Sequence, residues 1–125
     1  DYSKTRQQFG SPIGSFQVLQ HRMVDTFMGC EQTKSMLYRG LCESKSVEEG
    51  EADAVALSKT VHALKATVAR YGKTIGEEAI QLHGGIGMTD ELNIGHYVKR
   101  LMMINTTFGD GDFHQKKFNQ LSYSV

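Results

Sequence analysis

Two long stretches of helical apolar spacing constrain most strongly what this chain can fold into. The first covers about residues 14–46 and the second about residues 52–82, and in each the apolar residues recur every three or four positions. A helix of about 30 residues is about 45 Å long, so each helix must bury its apolar face along the other or on further helices. We therefore expect two long antiparallel helices.

Two shorter helices are predicted after the long ones. The third covers about residues 93–106, and the fourth begins near Asp110 or Asp112, whose carboxylates are placed to cap it. Residues 1–8 read as the last turns of another helix, closed by residues 9–12, and no segment has the alternating spacing of a β-strand. The predicted fold class is all-α, of the four-helix-bundle type, with residues 1–125 as one domain.

Composition and charge narrow the possible partners and the compartment. Fourteen basic and fourteen acidic residues cancel, so no electrostatic footprint for nucleic acid is present. No apolar run approaches the roughly 20 residues that a bilayer span needs, and no secretory leader opens the sequence. Cys30 and Cys42 lie twelve positions apart in one predicted helix, too far for a disulfide, which indicates reduced thiols and a cytoplasmic protein. The missing initiator Met suggests a fragment of a longer polypeptide.

Three familiar ligand patterns fail in this sequence. Residues 72–74 copy the end of a P-loop, but Thr67 stands where a glycine is required. Residues 85–87 begin a dinucleotide fingerprint, but Asp90 occupies the third glycine position and no strand precedes it. A calcium loop starting at Asp110 would have Leu121 in place of its glutamate. The histidines show no metal-ligand spacing, so we expect ordinary hydrogen-bonding roles and no metal site.

A cluster of glycines ends the second long helix. Residues 81–87, QLHGGIG, place three glycines directly after the helical pattern. On spacing alone, an ordinary C-terminal helix stop is the simpler interpretation. The alternative is a turn whose bare backbone lets amide groups approach a pyrophosphate.

Two motifs together suggest a family. Residues 6–17, RQQFGSPIGSFQ, resemble the Arg-x-x-Phe-Gly-x-Pro-Ile-x-x-Phe-Gln motif of the acyl-CoA dehydrogenase family. Residues 81–87 resemble its Gln-x-x-Gly-Gly-x-Gly motif, in the order and at the spacing seen in that family. The resemblance extends over essentially the whole chain, but only to the C-terminal helical domain of the family. It implies that the N-terminal helical and middle β-domains lie outside this sequence.

The resemblance also implies FAD as the cofactor, held between this domain and the middle domain with a second subunit contributing. Arg6 would meet the FAD pyrophosphate, and Gln8 and Phe9 would lie beside the adenine half. Gln81 and the Gly84–Gly85 pair would reach the FAD of a neighbouring subunit. The full set of cofactor-binding residues implied is Arg6, Gln8, Phe9, Gln17, Gln81, Gly84, Gly85, Asp110 and Asp112.

The catalytic base departs from the family pattern. Most members carry a glutamate in a Tyr-Glu-Gly-Thr stretch, and Phe108 stands at that position here. Asp110 could serve instead, a base could come from a helix outside this sequence, or the subunit could be inert beside a catalytic partner. Residues 108–114 resemble the Phe-Gly-Asp-Ala-Asp-His-His version of some bacterial branches, which favours flavin contact over catalysis for Asp110 and Asp112.

The function implied by the resemblance is that of a bacterial, FAD-dependent acyl-CoA dehydrogenase of fatty acid metabolism. The parent protein would desaturate an acyl-CoA thioester and pass electrons to an electron-transfer flavoprotein-like acceptor. It would form a homodimer or homotetramer, or a heteromer, and the fragment itself would be inactive. The alternative is a non-catalytic assembly module.

Overall fold

The computed structural model describes residues 1–123, within which five α-helices occur. They are α1 (Tyr2–Thr5), α2 (Gln17–Glu48), α3 (Ala54–His83), α4 (Ile94–Thr106) and α5 (Gly111–Ser122), with short 3-10 turns at Ile13–Ser15 and Gly84–Met88. The all-α fold with two long and two shorter helices is therefore confirmed. The bounds of the long helices differ from those predicted by one to three residues, as is usual where helix ends fray.

Helices α2 and α3 form an antiparallel pair. Arg22 of α2 meets Glu78 near the end of α3, whereas Gly40, near the end of α2, faces Leu64. Between these points Gly29 lies against the ring of Tyr71, where a β-carbon would stand only 2.8 Å from a ring atom. Missing side chains therefore let the two helices approach closely.

The shorter helices pack along a face of α3 away from α2. Gly76 is buried against Val98 of α4, and Gly72 faces Leu101 of the same helix. Gly111, at the start of α5, lies against the methyl group of Ala69. Two glycines that cost helix stability in isolation thus make room for α4.

The prediction for the N-terminus was wrong in part, because the helix ends at Thr5 and a small hairpin follows. Residues Gln7–Gln8 (β1) pair antiparallel with Ser11–Pro12 (β2). The two residues between them, Phe9 and Gly10, have φ values of 53° and 79°. Positive φ at both central positions is typical of a tight hairpin turn. The strands are too short to show an alternating pattern in the sequence.

The domain buries few apolar side chains completely. Within residues 1–123, Ile13 and Val98 are the buried apolar residues, while large apolar side chains on α2 and α4 stay exposed. Those on α2 include Val24, Phe27, Met28, Tyr38 and Leu41. None of the helices in this part of the chain combines the length and apolarity needed to span a bilayer.

The glycine cluster turns the chain sharply at the end of α3. Gly84 has φ 64°, and its N–H donates to the carbonyls of Ile80 and Gln81. Gly87 is buried, and a β-carbon there would lie 2.9 Å from the carbonyl oxygen of Ile80. At Gly85, by contrast, a β-carbon would meet nothing within 4 Å.

These contacts give the two glycines different effects on stability. We expect Gly87→Ala to lower the free energy of unfolding by about 1–3 kcal/mol, because a helix backbone cannot move aside for the added methyl group. Gly85→Ala is the matched control and should change stability by less than about 0.5 kcal/mol. Urea denaturation of both variants checks this, and equal losses at the two positions would contradict it.

Candidate functional site

The two family motifs meet in one cavity of about 490 Å³ at the end of α3. Arg6 and Gln8 line it from the N-terminal hairpin, and Gln81, Gly84 and Gly85 line it from the glycine turn. The structure thus brings together five of the nine residues that the sequence predicted for cofactor binding. Both groups face a single space, so one ligand molecule could contact all five. This arrangement differs from the expectation that the glycine turn alone reaches the FAD of a neighbouring subunit.

The N-terminal segment is held against α3 by an aromatic pair. The ring of Tyr2 lies 4.5 Å from that of His83 between centroids, and its hydroxyl donates to the His83 carbonyl at 3.4 Å. The His83 Nδ1 atom is 2.7 Å from the Ala79 carbonyl, so Nδ1 carries the proton and donates. The N–H of buried Ile13 donates to the Arg6 carbonyl at 2.8 Å. These contacts fix Arg6 relative to the glycine turn.

The charged side chains that line the cavity are basic. Two guanidinium groups line it, Arg6 and Arg22, and no carboxylate does among residues 1–123. Glu78 is not among the lining residues, and its Oε2 accepts a 2.7 Å hydrogen bond from Nε of Arg22. That hydrogen bond raises the pKa of Arg22 above its ordinary value. An anionic ligand is what this charge distribution favours.

The donors present fit the phosphate part of a dinucleotide such as FAD. Arg6 offers a planar fork of N–H donors, and the amides of Gln8 and Gln81 add hydrogen-bond groups. The backbone at Gly84 and Gly85 adjoins open space, because a β-carbon at either position would meet nothing within 4 Å. The Gly84 amide is already used within the helix end, so the side chains supply most of the donors.

Four predicted residues lie elsewhere. Phe9 is 93% exposed at the hairpin tip, where its ring meets that of Phe16 edge to face at 6.2 Å. Gln17 is the exposed first residue of α2. Asp110 and Asp112 line a separate cavity of about 240 Å³ at the start of α5. The predicted residues therefore fall in two separate cavities, with Phe9 and Gln17 lining neither of them.

The position of the family glutamate lies on an exposed loop. Phe108 is 92% exposed and has φ 60°, in the left-handed region that glycine favours. Asp110 caps α5, since its Oδ1 accepts a 2.8 Å hydrogen bond from the N–H of Phe113. The capping role that the sequence predicted for Asp110 is confirmed. Because Asp110 is also the residue of this chain considered as a replacement base, one of its two carboxylate oxygens is already engaged.

Two residues that the sequence did not single out hold this loop in place. Lys65 of α3 donates from Nζ to the carbonyls of Ile104 and Thr107, both at 2.8 Å. Buried His114 has Nε2 3.1 Å from the Phe108 carbonyl. No spacing pattern in the sequence predicts these contacts, because each of them joins residues on different elements or around a turn.

The tautomer of His114 follows from the hydrogen-bond partners of its two ring nitrogens. A carbonyl only accepts, so Nε2 of His114 carries a proton and donates to Phe108. In the neutral imidazole Nδ1 then accepts, and the atom 2.8 Å away, Nδ1 of His62, must donate to it. Burial lowers the pKa of His62, and the nearby His114 and Lys117 lower it further.

Metal binding has no support in the part of the chain described. No group of three or more His, Cys, Asp or Glu side chains among residues 1–123 is arranged to hold an ion. Cys30 and Cys42 both have free thiols.

The structure shows a helical domain with a cavity lined by two arginines, and comparison with known proteins gives its family. Residues 1–117 match the family described as acyl-CoA dehydrogenase, C-terminal domain. The chain belongs to this family.

Two curated relatives and one solved structure illustrate the likeness. The L-prolyl-[peptidyl-carrier protein] dehydrogenase of Serratia sp. is 32% identical over 116 residues, or 93% of this chain. The acyl-CoA dehydrogenase IpdE2 of Mycolicibacterium smegmatis is 37% identical over 99 residues, or 79% of the chain. A solved structure described as "FAD complex of PigA" superposes with a TM-score of 0.81 at 28% identity, over 95% of this chain and 29% of that one. The chain spans 28% of the length of each curated relative.

The lowered pKa of His62 makes stability depend on pH. Below the ordinary histidine pKa of about 6.5 the unfolded chain takes up a proton at residue 62 more readily than the folded chain does. The contribution of neutral His62 is therefore complete above about pH 6.5 and is lost as the pH falls through the folded pKa. The urea concentration at the unfolding midpoint should therefore rise as the pH is raised from about 5 to about 7.5.

His62→Gln should flatten the slope, because a glutamine side chain cannot titrate. The matched control is His96→Gln, which removes an exposed histidine of α4 and should retain the wild-type slope. A His62→Gln slope equal to the wild-type one would contradict the assignment.

Proposed function

We propose that this chain is the C-terminal FAD-binding and assembly domain of a longer bacterial acyl-CoA dehydrogenase. The observation that carries the proposal is the single cavity into which both family motifs project. Membership of the family supports the reaction class, the α,β-desaturation of an acyl thioester. Under this proposal the chain by itself is inactive, because most of the flavin and substrate contacts belong to other domains.

The proposed roles follow from the chemistry of the lining residues. The Arg6 guanidinium neutralises and hydrogen-bonds the FAD pyrophosphate, and Gln8 and Gln81 donate from their amides. Gly84 and Gly85 leave the space that the ligand backbone needs. The bound flavin supplies the acceptor for the hydride that leaves the β-carbon of the substrate. Arg6, Gln8 and Gln81 hold that cofactor in place and take no part in proton transfer.

The base is proposed to lie outside this chain. Phe108 has no titratable group, and Asp110 is engaged as a helix cap. Asp110 and Asp112 are instead assigned to contact with a flavin, together with Gln17 and Phe9 at the edges of the site. An inert subunit paired with a catalytic partner in a heteromer is the competing arrangement.

The proposed partners are an acyl-CoA substrate, an electron-transfer flavoprotein-like acceptor and further subunits in the bacterial cytoplasm. The exposed apolar side chains of α2 and α4 support assembly into a homodimer or homotetramer. Because the Serratia relative is named for a carrier-protein substrate, both acyl-CoA thioesters and acyl-carrier-protein thioesters belong in any substrate panel.

Replacing Arg6 tests the cofactor site in the complete protein. Arg6→Gln should cut the content of bound FAD at least about tenfold, since a charge-assisted contact to phosphate is lost. Arg39→Gln, which changes an exposed arginine paired with Glu43 on α2, should retain FAD. Flavin absorbance and size-exclusion chromatography give both readouts. Unchanged FAD in Arg6→Gln would favour the assembly-module alternative.

Substrate reduction tests the reaction class. Adding acyl-CoA and acyl-carrier-protein thioesters without oxygen should bleach the flavin absorbance of the complete protein. Asp110→Asn should slow bleaching far less than the loss of a base would, because Asn retains the helix cap and a hydrogen-bonding group for the flavin. A loss of about 1000-fold or more would make Asp110 the base. A flavin that no thioester bleaches would favour the inert subunit.

A further inference from the structure

We propose that Arg22 is a second phosphate-binding residue of the cavity, in addition to the family motifs. The proposal rests on the function proposed above. Arg22 belongs to neither motif, yet it lines the same cavity as Arg6 and Gln81 from the first turns of α2. Three separate elements, the N-terminal hairpin, α2 and the end of α3, would then supply donors to one ligand.

The geometry leaves Arg22 free to bind. Its contact with Glu78 uses Nε, at 2.7 Å, and a guanidinium has two further nitrogens that carry four more N–H groups. The side chain of Arg22 is 35% exposed, and that of Glu78 is 26% exposed. Glu78 is not among the residues that line the cavity. The carboxylate therefore holds the guanidinium through Nε without lining the cavity itself.

The charge of a pyrophosphate favours a second cation beside Arg6, and Arg22 can supply it. A pyrophosphate diester carries two negative charges at neutral pH, and Arg6 balances one of them. Arg22 supplies the other guanidinium among the residues that line the cavity. Glu78 offsets part of its charge, and the net attraction at the site is lower than two free guanidiniums would give.

A purely structural ion pair is the alternative. Arg22 and Glu78 join α2 to the last turns of α3, and breaking that link could disturb the glycine turn. The two explanations predict different results for the two partners. If the pair is only structural, removing either partner should weaken FAD binding alike. If Arg22 binds phosphate, removing Glu78 leaves the cation in place and removes a repulsive charge.

The experiment measures FAD affinity of the complete apoprotein by flavin fluorescence at low and high salt. We expect Arg22→Gln to weaken binding about tenfold and to reduce the salt dependence. Glu78→Gln should bind at least as tightly as wild type. Arg22→Lys, which retains the charge without the fork, should fall between wild type and Arg22→Gln. Arg39→Gln on the same helix serves as the control.

Two outcomes overturn the proposal. One is an unchanged affinity in Arg22→Gln when Arg6→Gln has lost FAD. The other is an equal loss in Arg22→Gln and Glu78→Gln. Failure of the proposed function would look different, because Arg6→Gln would then retain FAD. If Arg22→Gln does not fold, as judged by circular dichroism, Arg22→Lys and Glu78→Gln still test the proposal, since only phosphate binding predicts weaker FAD binding in Arg22→Lys without weaker binding in Glu78→Gln.

Discussion

Close packing around α3 is the constraint on which the rest of the structure depends. Helices α1, α2, α4 and α5 all pack against it. Gly76 admits α4, while Gly29 of α2 and Gly111 of α5 bring their own helices near. One long helix thereby fixes the relative positions of both motif segments and of the loop at residues 107–110.

The three glycines of the QLHGGIG stretch differ in backbone conformation and in the space beside them. Gly84 takes a positive φ and ends the helix, and Gly87 lets the turn fold back on the Ile80 carbonyl. Gly85 alone of the three combines ordinary φ with open space beside it. The two interpretations of the cluster that the sequence left open, a helix stop and a ligand-binding turn, are therefore compatible, because Gly84 and Gly87 shape the helix end while Gly85 leaves open space.

The sequence predicted what repeats at a regular spacing and missed what depends on contacts between elements. The four main helices were predictable because their apolar residues follow the helical period. The two motifs pointed to five residues that line the cavity, but not to their meeting in a single space. The hairpin at residues 7–12 was missed because two-residue strands show no alternation. Arg22 and His114 were missed because their partners, Glu78 and His62, lie 56 and 52 positions away.

The loop that carries Phe108 has a backbone held independently of its side chain. The Phe108 carbonyl accepts a hydrogen bond from His114, while the Phe108 ring is almost fully exposed. The scaffold therefore places almost no demand on which amino acid stands there, apart from tolerance of a left-handed conformation. Such a position can change its chemistry in evolution without rebuilding its surroundings. A family can keep the same helical frame while moving its proton-transfer group to another part of the protein.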